Sequence, residues 1–178
     1  MTMALKSILF SIMTLSLLTI VISCQPGPDI DLLTAIDQEN IMVVQQHIDA
    51  GTDLNNYPIP EGLPFAGAHP IHLAVLKGNG EIIKLLLDNG AKIDLEAANK
   101  DKATPLHWAA FFNQKEMVSL LIEAGAPLNS LDTTGGTPID SAVFAKMLTR
   151  DNEKLDLLGD IIIMLKENGG ISAGSLEK

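Results

Sequence analysis

The side chains best suited to nucleophilic or metal chemistry in this chain are one cysteine and four histidines. Nucleophilic catalysis needs a cysteine or serine beside a histidine base, and a metal site needs several ligands held together. Cys24 has no second cysteine for a disulfide, and the residues around it lack metal-ligand spacing. The histidines follow a repeating pattern instead, and they are His47, His69, His72 and His107. We therefore predict no catalytic residue, no metal site and no cofactor, although the sequence leaves a carboxylate pair for acid–base catalysis open.

The first 23 residues have the organisation of a secretory signal. Lys6 precedes an uncharged, mostly apolar run over residues 7–23. The run ends in Val21-Ile22-Ser23-Cys24, which resembles the lipobox of bacterial lipoproteins. The resemblance implies that the signal peptide, residues 1–23, is cleaved and that Cys24 carries a lipid that holds the protein to a membrane. Plain secretion and an uncleaved membrane anchor are the alternatives.

Residues 24–29 are expected to be the lipidated N-terminus and a short tether. Pro26, Gly27 and Pro28 favour an extended segment over a helix. The residue after Cys24 is Gln25. In Gram-negative lipoproteins, an aspartate at this position favours retention at the inner membrane. The expected location is therefore the cell envelope, at the outer membrane and facing the periplasm if the cell is Gram-negative.

Charge restricts the classes of partner. The formal net charge of the 178 residues is −10, which argues against binding to a nucleic acid backbone. Seven Asp and Glu residues and no Lys or Arg lie between residues 25 and 76. These acidic residues form either a solvated face that aids solubility or a surface for a basic partner.

A short motif recurs along the rest of the chain. The sequence TPLHWAA at Thr104 is repeated as TPIDSAV at Thr137, 33 residues later, and as HPIHLAV at His69. Three matching segments close the repeats, which are GTDLN at Gly51, GAKID at Gly90 and GAPLN at Gly125. This pattern resembles the ankyrin repeat, and the resemblance covers residues 30–170. It implies an all-α solenoid of about four stacked helix-turn-helix units joined by β-turn loops.

The physical chemistry of the motif agrees with this fold. Thr104-Pro105 and Thr137-Pro138 are favourable helix starts, because threonine caps backbone N–H groups and proline needs no donor at the first helical position. Aliphatic residues at helical spacing mark a buried face of the second helix in each unit. The resemblance implies that His72 and His107 hydrogen-bond between turns, which makes them part of the scaffold.

The predicted units span residues 30–56, 67–98, 99–131 and 132–170, followed by a flexible tail at 171–178. The loop at 56–68 is longer than the repeat requires, since Gly51 and Gly90 are 39 residues apart, and it is either ordered or flexible. The fourth unit contains an insertion at 146–156. This insertion either lengthens both helices or forms a polar loop between them.

Aromatic and aliphatic residues at the variable positions of the motif are the best candidates for contact with a partner. Phe111 and Phe112 follow the two alanines of the third unit, and Leu76 and Phe144 are the equivalents of Phe111 in the flanking units. We expect Leu76, Phe111 and Phe144 to form an apolar line across the concave groove. Tyr57 and Phe65 on the long loop are further candidates. For Tyr57, Phe65, Phe112 and Trp108, packing against a neighbouring unit is the alternative.

The resemblance implies a protein-binding module or scaffold whose partner is an unidentified protein. It implies neither a nucleic acid ligand nor a small-molecule substrate. Two alternatives within binding are an inhibitor or immunity-type protein that blocks one target and an accessory protein that protects an exported enzyme. An enzyme is the least favoured class.

Overall fold

The computed structural model describes residues 27–176, and these residues form helices and turns without a β-strand. The helices are α1 (Leu32–Asp37), α2 (Ile41–Asp49), α3 (Pro70–Lys77), α4 (Gly80–Asp88), α5 (Pro105–Phe111), α6 (Lys115–Glu123), α7 (Pro138–Leu148), α8 (Asn152–Glu167) and α9 (Ala173–Leu176). The all-α prediction is confirmed for this part of the chain. The predicted signal peptide, the lipobox and Cys24 lie outside the described residues. Within those residues, no helix has the length and apolar character needed to cross a membrane.

Consecutive helices pair into four units. The first helices of the units (α1, α3, α5 and α7) pack in one row, and the second helices (α2, α4, α6 and α8) pack in another. The third residue of each Thr-Pro-type opening is fully or almost fully buried between them, at Ile71, Leu106 and Ile139. Since one helix pair cannot bury its apolar face alone, the stack supplies the core.

Side-chain caps fix where the helices begin. Asn40 accepts the backbone N–H of Val43, and Asn79 accepts that of Ile82, so the second helices of the first two units start with satisfied donors. Proline occupies the first position of α3, α5 and α7. These local signals are visible in the sequence and explain why the openings were predictable.

The long loop at 56–68 is ordered by backbone hydrogen bonds. The N–H of Ile59 donates to the carbonyl of Ala68, and the N–H of Gly67 donates to the carbonyl of Ile59, both at 2.8 Å. The N–H of Ala98 then donates to the carbonyl of Gly67 at 2.7 Å. The loop is thus joined to the next inter-unit turn, and the flexible alternative does not describe it.

The insertion in the fourth unit lengthens both helices. Helix α7 has 11 residues and α8 has 16, whereas the helices of the two preceding units have seven to nine. Three residues, 149–151, join α7 to α8, and Asp151 caps α8 by accepting the N–H groups of Glu153 and Lys154. The polar-loop alternative is therefore wrong.

The C-terminal segment is attached to the stack at its start. The N–H of Ile171 donates to Asn129 Oδ1, and the N–H of Ala173 donates to Asp140 Oδ2, both at 2.8 Å. The short helix α9 follows. Side chains of the third and fourth units therefore bind the backbone of the first residues of the segment predicted to be a flexible tail.

Candidate functional site

The two motif histidines connect their own helix to the next inter-unit turn. His107 Nδ1 accepts the Thr104 backbone N–H at 3.2 Å and its hydroxyl at 2.8 Å, and His107 Nε2 donates to the Gly136 carbonyl at 3.1 Å. His72 Nδ1 accepts the His69 N–H, and its Nε2 donates to the Ala103 carbonyl at 3.0 Å. Both nitrogens of each ring are thus used by the scaffold, as the motif predicts.

Burial keeps these rings neutral. Desolvation lowers the pKa of His72 to about 4, although the hydrogen bond from the ring to the Ala103 carbonyl raises that pKa. Desolvation also lowers the pKa of His107. Among residues 27–176, no group of His, Cys, Asp and Glu side chains has an arrangement that could hold a metal ion.

A groove of about 720 Å³ lies between the long loop and the first helices of the third and fourth units. Five aromatic side chains line it, and they are Phe65, Trp108, Phe111, Phe112 and Phe144. Asn99 and Asp101 of one inter-unit turn and Asp132 of the next also line it. The repeat thus places a continuous aromatic wall beside polar turn residues.

Contacts between rings of the long loop and of the third and fourth units hold the aromatic wall together. The centroid of Phe65 lies 5.7 Å from that of Trp108 and 5.8 Å from that of Phe112. Phe111 contacts Phe112 edge-on at 5.1 Å, and it stacks on Phe144 at 6.2 Å. These separations are typical of favourable aromatic pairs. Phe65 remains 44% exposed and Phe144 56% exposed.

The groove brings together four of the six residues proposed to contact a partner, namely Phe65, Phe111, Phe112 and Phe144. Leu76 and Tyr57 are half-buried against the core and are not among the residues that line the groove. Of the expected apolar line, Phe111 and Phe144 line the groove, and the ring contacts continue through Phe112 to Phe65. Trp108, which is 7% exposed, belongs both to the core and to the groove floor.

Three carboxylates at the groove were missed by the sequence reasoning, and they are Asp101, Asp132 and Asp140. Partial burial opposes ionisation of Asp132, but hydrogen bonds from Thr134 and Gly136 hold its pKa below the usual value. Asp140 is likewise partly buried, and hydrogen bonds from Ala173 and Thr137 lower its pKa. The signal that could have identified them is their position, since Asp101 and Asp132 lie three and five residues before a Thr-Pro opening and Asp140 lies inside one.

The match to known families agrees with this geometry. A family model described as ankyrin repeats (3 copies) matches residues 32–132 and 71–149, which together span more than half of the chain. This chain belongs to the ankyrin repeat family. Among proteins with curated descriptions, the search finds no match to it. Ankyrin repeats generally mediate protein–protein binding, and proteins built from them are typically binding modules rather than enzymes, so this ankyrin stack is expected to have a protein partner.

Proposed function

We propose that this ankyrin repeat protein is a binding module tethered at the cell envelope, and that it holds its partner in the aromatic groove. The observation that carries the proposal is the stacked pair of rings on neighbouring units, in which Phe111 is half-buried and Phe144 is exposed. Aromatic side chains that are partly exposed and rigidly held are favoured as interface anchors. Here the surrounding rings and the ordered loop hold them in place before a partner arrives, which reduces the entropy lost on binding.

The tether follows from the N-terminal sequence. The lipobox-like end of the apolar run supports a lipid on Cys24, and the short segment up to residue 29 would then hold the stack close to the membrane. The partner would then be another envelope or exported protein. Cys24→Ser in the full chain is expected to release the protein from the membrane fraction or to leave it unprocessed. Unchanged fractionation would show that no lipid on Cys24 holds the protein there.

Photocrosslinking tests the groove directly. A benzoylphenylalanine incorporated at position 144 of the full chain in cells is expected to give a discrete crosslinked product on irradiation. The matched control is the same residue at position 88, an exposed site at the end of α4 that does not line the groove. Equal labelling at both positions, or none at position 144, would argue against the groove as the binding site.

The crosslinked product also separates the alternatives within binding. One stoichiometric partner, identified by mass spectrometry, favours an inhibitor or immunity-type protein. Several partners favour a scaffold. An exported enzyme whose lifetime falls when the ankyrin protein is removed favours an accessory role.

A further inference from the structure

The groove has the chemistry of a receptor for a positively charged side chain. Its lining contains three aspartates and neither lysine nor arginine, and its histidine, His107, is kept neutral by burial. The field at this surface is therefore negative, while the walls are aromatic. We propose, building on the function above, that the partner inserts an arginine side chain into this groove from an extended segment that also carries an apolar residue.

The carboxylates are arranged so that each has an oxygen left for a ligand. Asp132 Oδ1 accepts the N–H groups of Thr134 and Gly136 at 2.8 and 2.9 Å, and its Oδ2 accepts no hydrogen bond within residues 27–176. Asp140 Oδ2 accepts from Thr137 and Ala173, and its Oδ1 has no partner in the same part of the chain. The scaffold thus orients both groups while leaving one acceptor on each.

The aromatic wall supplies the other half of the recognition. A guanidinium group stacks on the face of an aromatic ring and also donates in a planar fork to a carboxylate. Phe111 and Phe144 lie nearly parallel at the exposed side of the groove, with an interplanar angle of 29°. An arginine can contact the rings and the carboxylates at once, whereas an uncharged apolar side chain would leave the carboxylates without a counter-charge.

Selection from a displayed library of random 12-residue peptides on the full chain in detergent micelles tests the proposal. We expect the selected peptides to be enriched in arginine beside apolar residues, and to lose binding to Phe144→Ala. Resynthesis of one peptide with citrulline in place of arginine, which removes the charge and keeps the shape, is expected to weaken binding about tenfold or more.

Two charge variants locate the effect. In the double variant Asp101→Asn with Asp132→Asn, the amide oxygen at position 132 still caps the turn, so the stack is expected to keep its melting temperature. The preference for arginine should weaken, because of the three groove aspartates only Asp140 keeps its charge. Asp88→Asn removes a charge on α4, outside the groove lining, and is the matched control. It should bind like the unmodified chain.

The outcomes distinguish this inference from the proposed function. Peptides that depend on Phe144 but bind equally well with citrulline would overturn the arginine proposal and leave the groove as a protein-binding site. Selected peptides that are insensitive to Phe144→Ala, or a library that gives no peptide dependent on this ring, would also overturn it. The photocrosslink at position 144 decides the proposed function independently of either result.

Discussion

Phe111 and Phe144, which are 33 residues apart in the sequence, stack ring against ring with their centroids 6.2 Å apart. The two residues occupy the same position in consecutive repeats, so the stacking of the units is what brings the rings together. Phe111 is half-buried, and Phe144 is more than half exposed. The exposed side of the groove is thus built from one position of the motif, repeated.

Replacement of Phe144 by alanine is expected to affect binding more than folding. The ring is largely solvent-exposed, and the stacked pair contributes about 1 kcal/mol beyond its buried area, so the free energy of unfolding in urea should fall by about 1 kcal/mol. Crosslinking and peptide binding should be strongly reduced. Phe111→Ala, which removes a ring packed against Phe112 as well, should cost more stability. A larger loss for Phe144→Ala than for Phe111→Ala would contradict this assignment.

The long loop depends on a glycine that has no room for a side chain. Gly67 has a φ of +83°, and a Cβ there would lie 2.6 Å from the backbone of Ala98. Gly67→Ala is therefore expected to destabilise the protein by about 2 kcal/mol or more, because it combines left-handed strain with a backbone clash. The substitution should also move Phe65 away from Trp108. The tryptophan fluorescence spectrum should therefore differ from that of the unmodified chain.

Gly62→Ala is the control for this effect. Gly62 lies in the same loop with a φ of +87°, but a Cβ there would meet no atom within 4 Å. It should therefore cost only the left-handed strain, about 1 kcal/mol. Equal costs for the two substitutions in thermal unfolding would mean that contact between the loop and Ala98 is unimportant.

Stability is expected to fall in acid through His72. Its folded pKa of about 4 lies below the unfolded value of 6.5, so the unfolded chain binds a proton between these values and the folded chain does not. The stabilisation is complete above pH 6.5 and is lost as the pH falls from 6.5 to about 4, with no further loss below. The contribution lost between pH 7 and 4.5 is about 2 kcal/mol.

His72→Gln measures this contribution. The variant should be less stable than the unmodified chain at pH 7, because it lacks the ring that hydrogen-bonds to His69 and Ala103. Since glutamine does not titrate, the stability of the variant should also depend less on pH. The difference in unfolding free energy between the two proteins should therefore shrink as the pH falls from 7 to 4.5. A constant difference across this range would contradict a buried neutral ring.

Asp140 is expected to hold the C-terminal segment as well as cap α7. Asp140→Ala removes the acceptors for the N–H groups of Thr137 and Ala173, and should lower stability by about 1 kcal/mol, as other lost caps do. Hydrogen exchange at the Ala173 amide should accelerate. Asp140→Asn keeps an oxygen acceptor and should retain most of the protection, which distinguishes the hydrogen bond from a purely electrostatic effect.

The local signals of the sequence predicted much of the scaffold. The Thr-Pro openings and the closing glycines act within a single turn of chain, so Thr104, Pro105, Thr137 and Pro138 begin helices as expected. The contact between His107 and Thr104 is local in the same sense, since the two residues are three positions apart. By contrast, the 146–156 insertion allowed two readings, because its charged residues suit either an exposed loop or an exposed helix.

The groove could not be predicted in the same way. The sequence indicated which positions vary, but the wall depends on Phe65, whose place over Trp108 follows from the path of a loop with extra residues. Leu76 shares its motif position with Phe111, yet it has no part in the lining, because the groove forms where Phe65 of the long loop meets the rings of the third unit and where those rings meet Phe144. The acceptors of Asp132 and Asp140 became visible only when their scaffold hydrogen bonds were known.

The sequence by itself determined the class of fold and the period of the repeat, because both rest on the repetition of one motif and on signals that act within a single turn of chain. The tertiary structure decided which aromatic rings meet, which carboxylates line the same groove and where the chain after residue 170 is bound. Those features depend on how successive units stack and on how the long loop is joined to the next inter-unit turn. The contacts between units are set by packing rather than by any local pattern.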